Sequence, residues 1–350
     1  MTRRRVPVAA AAVCVALGVF LAVVLLGSGG RTQTARPASA PLTPLATYSL
    51  RAPHVLSTDR IYSLQGLVSG APVTPAPELP PTPVSAFARP IALYRAYAVG
   101  QLGAMERQIA RLEGALAAND RVAARAAWRS AYARYLRLGA VYLAGEVATL
   151  NQQIDGTASG LTGGVASPQF SGLHRIELGL WTEAPPRALL GWARRLDVDV
   201  RELRGALPRV SITPLEYATR AHEILEDAVR DLLSGADVPW SGEGVLATEA
   251  GVRATEEVIS TLRPVIGGAE RVIPAVDTEL VALRSAIASI AAAHGGRLPP
   301  NGQLTQRQSV LLNGTLGGAL EALSQVPGVL ETEAPPQIPQ IPPRDVRIDP

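Results

Sequence analysis

Apolar side chains recur every three or four residues through most of the chain beyond residue 86, and this pattern excludes a sheet-based fold. Phe87, Ile91, Tyr94, Ala98, Leu102, Met105, Ile109, Leu112 and Leu116 share one face of a helix of about eight turns. Asn119 or Asp120 can cap a second helix, whose Trp128, Tyr132, Tyr135, Leu138 and Tyr142 form one stripe before a polar loop at residues 151–167. Pro185 and Pro186 open a third long helix and Pro208 closes it. Thr213-Pro214-Leu215-Glu216 reads as a capping box that starts a helix running to about Ser234. Further helices are expected near 245–261, 274–293, where Gly295 and Gly296 follow, and 305–324. No convincing strand separates them, so the expected fold is all-α, with two adjoining antiparallel helix bundles accommodating the helix count.

The single cysteine, Cys14, lies in an N-terminal apolar run, so the helical body contains none and can form no internal disulfide. Stability must come from burial, and with aromatic residues at only 4% the core is aliphatic. All 33 basic residues are arginine, and Ala, Gly and Pro are abundant, a pattern of coding bias rather than of phosphate binding. The formal charge of +3 equals the contribution of Arg3, Arg4 and Arg5, so the rest of the chain is formally neutral. Such a body lacks the basic face that nucleic-acid binding requires.

Those three arginines precede an apolar stretch over 6–26, whose roughly 21 residues would span about 30 Å as a helix, the thickness of a bilayer core. The positive-inside rule then places everything from Gly27 onward on the extracytoplasmic face. The run is long for a cleavable signal, which makes residues 1–27 a signal anchor, with removal after Ala38-Ser39-Ala40 as the alternative. Cys14 sits mid-run and makes a poor lipidation site. Residues 28–85 read as a stalk, since Pro72, Pro75, Pro77, Pro80, Pro81 and Pro83 are too dense for a helix, although 46–68 alternates weakly enough for a short hairpin. The helical domain occupies 86–330, and a Pro-rich tail follows at 331–350.

Gly172-Leu173-His174-Arg175-Ile176-Glu177 follows Ser171, an N-cap candidate, and lies on a short helix. His174 and Glu177, three residues apart, share a face, and bundle interiors use such pairs with carboxylates from other helices to ligate transition metals. Spacing alone leaves a second reading open, a hydrogen-bonded pair on a helix surface. His222 beside Glu226 reads as a surface helix residue, His294 as a helix C-terminal imidazole favoured by the dipole, and His54 as a linker residue. Arg194, Arg195, Asp197 and Asp199 read as a solvated charged face.

Gly-x-His-x-x-Glu is the signature of the imelysin-like proteins, which include the EfeO and EfeM components of bacterial iron uptake. Gly172, His174, Glu177 and the following Trp181 resemble it. The resemblance extends from Ile91 to Leu330 and includes Tyr94, the 124–135 segment, Ile154-Asp155, Leu225-Glu226-Asp227, Ser234-Gly235 and Leu262-Arg263-Pro264. It implies two four-helix bundles and an exported protein that binds a metal ion, iron or else zinc, beside a membrane iron permease and a haem peroxidase. It implies His174, Glu177 and Asp155 as ligands. The chain also departs from the family. Leu136 and Gly139 stand where glutamates are usual, Gly242 where a histidine is, and Asn151 where an aspartate is. At most three protein ligands remain, enough for weak binding completed by water. The alternative is a helical surface scaffold or interaction protein that has kept the fold and lost the site. Metallopeptidase activity is not expected, because no His-Glu-x-x-His is present.

Overall fold

The computed structural model describes residues 81–141, 147–182, 184–266 and 272–330, and these contain helices and connecting segments but no strand. The expected all-α architecture is what forms. The apolar run at 6–26, the stalk up to residue 80 with its candidate hairpin, and the tail from 331 lie outside the described residues. Among the described residues no helix is long and apolar enough to cross a membrane.

Helix α1, Ala88–Ala117, buries the face that its periodicity marks out, from Ile91 and Tyr94 to Leu116. It ends in a tight turn in which Asn119 adopts φ 57° and the Asp120 carboxylate accepts the Ala123 N–H at 3.0 Å. That bond starts α2, Arg121–Leu136, and settles the capping residue as Asp120. On α2, Ala124, Ala127 and Ala131 lie among buried Trp128, Tyr132 and Tyr135, so small residues admit close approach while aromatic rings fill the gaps. Two short helices follow, α3 at Ala148–Asp155 and α4 at Gly172–Trp181. The long α5, Leu190–Ala206, packs along α1 and also covers α3 and α4.

The capping box at Thr213 forms as expected: its hydroxyl accepts the Glu216 N–H and the Glu216 carboxylate accepts the Thr213 N–H at 2.7 Å. It opens α6, Pro214–Asp227, which continues into a π-helical turn at Ala228–Leu232. Helix α7, Gly244–Leu262, packs against α6 and α8 and also against α1 and α2. Its Ala247, Ala250, Gly251 and Ala254 are small enough to be enclosed from several sides. Helices α8, Val272–Ala293, and α9, Gln306–Leu323, pair with each other, and the short α10, Val326–Val329, returns to α6. One continuous apolar cluster links Phe87 to Leu330. The Thr305 cap of α9 forms a second capping box with Gln308 that the periodicity does not reveal.

Three expectations are corrected. Residues 151–155 are helical rather than loop, because α3 buries Ile154 completely and is held by α4 and α5. An eight-residue helix with one fully buried apolar residue gives too little periodicity to detect. Ser171 does not cap α4 with its side chain; the hydroxyl donates to the Gln153 carbonyl at 3.0 Å. Asp199, read as solvated, is only 6% exposed and faces Arg195 at 3.7 Å, and burial raises its carboxyl above the usual range.

The α3–α4 junction depends on one glycine. Gly172 has φ 70°, and a Cβ there would run into the carbonyl oxygens of Gln153 and Ile154. Gly172→Ala is expected to destabilise the chain by about 1–3 kcal/mol or more, through both backbone strain and lost contact. The control is Gly314 in α9, whose added Cβ would meet nothing within 4 Å. Gly314→Ala should stabilise by about 0.5–1 kcal/mol. Denaturant unfolding of both variants checks the pair of signs.

Candidate metal centre

Helix α4 is fixed against α2 at both ends. In its first turn the Leu173 carbonyl accepts the Trp128 indole N–H at 2.9 Å. At its C-terminus, where backbone carbonyls lack helical partners, Arg121 donates to the carbonyls of Leu180 at 2.9 Å and Thr182 at 2.7 Å, and Arg125 donates to Leu180 at 2.7 Å. Between these anchors the buried face of α4 carries His174 and Glu177, both fully buried. Gly172 brings this face against the end of α3, where Asp155 is the last residue.

The imidazole is addressed from both nitrogens. His174 Nδ1 lies 3.0 Å from Glu177 Oε2, and His174 Nε2 lies 3.3 Å from Asp155 Oδ1. Glu177 Oε1 in turn accepts the backbone N–H groups of Ser241 at 2.8 Å and Trp240 at 3.3 Å. A carboxylate so placed takes its hydrogen bond from Nδ1–H, which leaves the Nε2 lone pair of a neutral ring facing Asp155. The second contact has a different character. His174 Nε2 and Asp155 Oδ1 are buried and face each other as an ion pair when the ring is protonated, and neither has a closer hydrogen-bond partner. Two donors of one ion at about 2.1 Å, 90–109° apart, lie about 3.0–3.4 Å from each other, so this separation suits atoms that share a third point.

The loop after the π-helical turn supplies the third group. The Asn301 amide donates to the Leu232 carbonyl at 2.8 Å, and the Gly242 carbonyl accepts the Asn301 N–H at 2.7 Å, which holds residues 233–242 at both ends. Within this loop Asp237 joins Asp155 and His174, with one ligand atom from each lying within 4.8 Å of the others. Its Oδ2 is 3.5 Å from the Tyr132 hydroxyl, and the Tyr132 ring meets the His174 ring edge-on at 5.7 Å. Asn151 Oδ1, one turn before Asp155 on α3, is also buried without a hydrogen-bond partner. The set is therefore two carboxylates and an imidazole, donors that suit a borderline or hard divalent or trivalent ion.

Charge in this region is lopsided. Asp155, Glu177 and Asp237 surround one imidazole, and Glu243, only 2% exposed, lies nearby with Arg129 at 3.0 Å. Burial alone would lower the His174 pKa, but the Asp155 and Glu177 carboxylates outweigh it and raise it to about 10. Burial raises Asp237 to about 6, helped by repulsion from Asp155, and raises Glu243 to about 7. Burial likewise raises Asp155, against the pull of His174.

Of the residues that the sequence marks, the fold thus brings His174 and Asp155 face to face and sets Glu177 on the far nitrogen of the same ring. Asp237 is missed by sequence reasoning, since it sits in a non-periodic Ser-Gly-Ala-Asp-Val-Pro-Trp loop with no spacing relation to His174. Of the positions read as departures from the family, Asn151 lies one turn before Asp155 on α3. Leu136 is buried in the apolar core, the Cβ position of Gly139 points at Ile224 and Ala254, and that of Gly242 points at Pro300. His222 pairs with Glu226 at 3.5 Å, and His294 meets Gln308 at 3.3 Å, both away from this cluster. Compared with known proteins, the chain matches no family model and no curated protein sequence.

The pKa directions give a signed expectation. His174, raised to about 10, contributes stability that is complete below its unfolded value of 6.5 and is lost as pH rises toward 10. Asp237, raised from 3.8 to about 6, is favoured protonated, so its ionisation costs stability as pH rises between those values. A bound cation replaces the proton on His174 and neutralises Asp237. The rise in thermal midpoint caused by zinc is therefore expected to grow from about pH 5 to about pH 8. Scanning fluorimetry with and without chelator reads it, and Asp237→Asn should flatten the lower part of the dependence.

Proposed function

We propose that this chain is an exported protein, tethered to the extracytoplasmic face of a membrane by its N-terminal apolar segment, that binds iron and passes it on during uptake. The observation that carries the reading is the buried pair His174 Nε2 and Asp155 Oδ1, 3.3 Å apart, with the Asp237 carboxylate beside them. One imidazole and two carboxylates converging on a largely buried point are more readily explained by a cation than by packing. The Gly172, His174, Glu177 resemblance to imelysin-like proteins supports the uptake role, with a membrane iron permease and a haem peroxidase as partners. The pairing of α1 with α2 and α5, and of α6 with α7 and α8 with α9, supports reading the fold as two adjoining bundles that meet where α7 packs on α1 and α2.

In this reading His174, Asp155 and Asp237 hold the ion, and Glu177 orients the imidazole rather than binding. Among the described residues the centre gathers three side chains of the usual ligand types rather than a closed cage of four, which suits cargo better than a permanent structural ion. Metal analysis and calorimetry on the full chain test the proposal. Wild type should bind one ferrous or zinc ion, His174→Ala should abolish binding, and Glu177→Gln should weaken it by about 10–100-fold. The glutamine amide cannot satisfy the Ser241 N–H and still accept from Nδ1–H without turning a donor toward a donor. Unchanged binding in His174→Ala would reject the centre. A stable His174→Ala chain with no metal effect on either protein would leave the helical scaffold reading in its place.

A further inference from the structure

We propose that Tyr132 is a fourth ligand of this centre and that the ion it selects is ferric. The inference rests on the metal-binding reading above and specifies the oxidation state of its cargo.

Tyr132 is fully buried on α2, and its ring stacks on Trp128 at 5.0 Å between centroids and meets His174 edge-on. This sandwich fixes the ring plane and directs the hydroxyl toward Asp237, whose Oδ2 is 3.5 Å away. A separation of 3.5 Å is long for a hydroxyl–carboxylate hydrogen bond, which is about 2.5–3.0 Å. It is close to the separation of two oxygens that ligate one ion at about 2.0–2.1 Å. His174 Nε2 and Asp155 Oδ1 lie at a similar separation, and Asp237 joins those two in one cluster, so the Tyr132 hydroxyl reaches the cluster through Asp237.

The chemistry of that set separates the candidate ions. One imidazole nitrogen, two carboxylate groups and a phenol oxygen form an oxygen-rich donor set with no sulfur, which disfavours soft ions. A phenol becomes a strong ligand only as phenolate, and a trivalent ion stabilises phenolate far better than a divalent one. Binding releases the phenol proton to solvent and forms an iron–oxygen bond, with no change of oxidation state. Three anionic ligands then balance a 3+ ion, whereas zinc or ferrous ion would leave the phenol protonated and unbound.

The test titrates the full chain with ferric citrate and, separately, with zinc. Wild type is expected to develop a visible phenolate-to-iron charge-transfer band with ferric ion, whose resonance Raman spectrum shows tyrosinate modes. Tyr132→Phe keeps the stack on Trp128, should lose the band, and should weaken ferric binding by roughly tenfold while leaving zinc binding unchanged. Tyr135→Phe should keep the band. Zinc binding without any ferric band overturns the Tyr132 proposal while the metal centre stands, and a band that survives in Tyr132→Phe does the same. Failure of both ions to bind overturns both readings. Should Tyr132→Phe not fold, the wild-type Raman spectrum decides: absence of tyrosinate modes rejects the assignment, and their persistence in Tyr135→Phe supports it.

Discussion

The buried carboxylate of Glu177 is the constraint around which the centre is built. Removing a carboxylate from water costs several kcal/mol unless hydrogen bonds replace hydration. Glu177 has no exposure, and its partners are His174 on its own helix and the backbone N–H groups of Trp240 and Ser241. The same two oxygens therefore set the tautomer of the imidazole and hold a loop that is distant in sequence against α4. The loop cannot leave without stranding the carboxylate, and the position of Asp237 follows from that attachment. The π-helical turn at Ala228–Leu232 contributes by ending α6 so that the chain turns toward α4.

Electrostatics then supply what packing does not. Carboxylates crowd one imidazole in a region of low exposure, while Arg129 pairs with Glu243 at 3.0 Å and Arg297 adds a weaker positive field there. Burial raises Asp155, Asp237 and Glu243, which means that the fold holds these groups against their preference for the ionised form. A protein selected for stability alone would replace such groups with apolar ones of similar volume. Under the proposed function, a cation that shares the locus would offset that cost.

Much of the fold is legible from periodicity because the long helices each bury a continuous stripe. The α1 stripe from Ile91 to Leu116 is buried as its spacing indicates, and the Thr213 capping box forms from four consecutive residues that name it. Legibility fails where an element is short and its boundaries come from contacts rather than pattern. Helix α3 has one fully buried apolar residue, and α4 and α5 hold it. Ser171 looks like a cap, yet the approach of Gly172 to the carbonyls of Gln153 and Ile154 turns its hydroxyl to Gln153. His174 and Glu177 are visible because a helix places residues three apart together. Asp237 is invisible because 63 residues of chain separate it from His174, and no local rule relates a loop to a helix that it meets only in three dimensions.

The exposure of the ligands bears on how an ion would enter and leave under the cargo reading. The His174 side chain is 1% exposed, the Asp155 side chain 16%, and Asp237 is likewise half-buried rather than enclosed. An ion approaching from solvent meets the carboxylates first and the imidazole last. Carboxylates attract a hydrated cation at long range and exchange water readily, whereas a buried imidazole binds only after the ion has shed water on that side. Entry is thus guided by charge and completed by nitrogen, and release reverses the order, with protonation of Asp237 or His174 opening the path. The rigid anchors at both ends of α4 keep the imidazole fixed while the loop bearing Asp237 is held mainly by hydrogen bonds to Asn301 and Glu177. Under that reading, exchange would involve the loop rather than the helical core, and opening it would have to break the hydrogen bonds to Glu177.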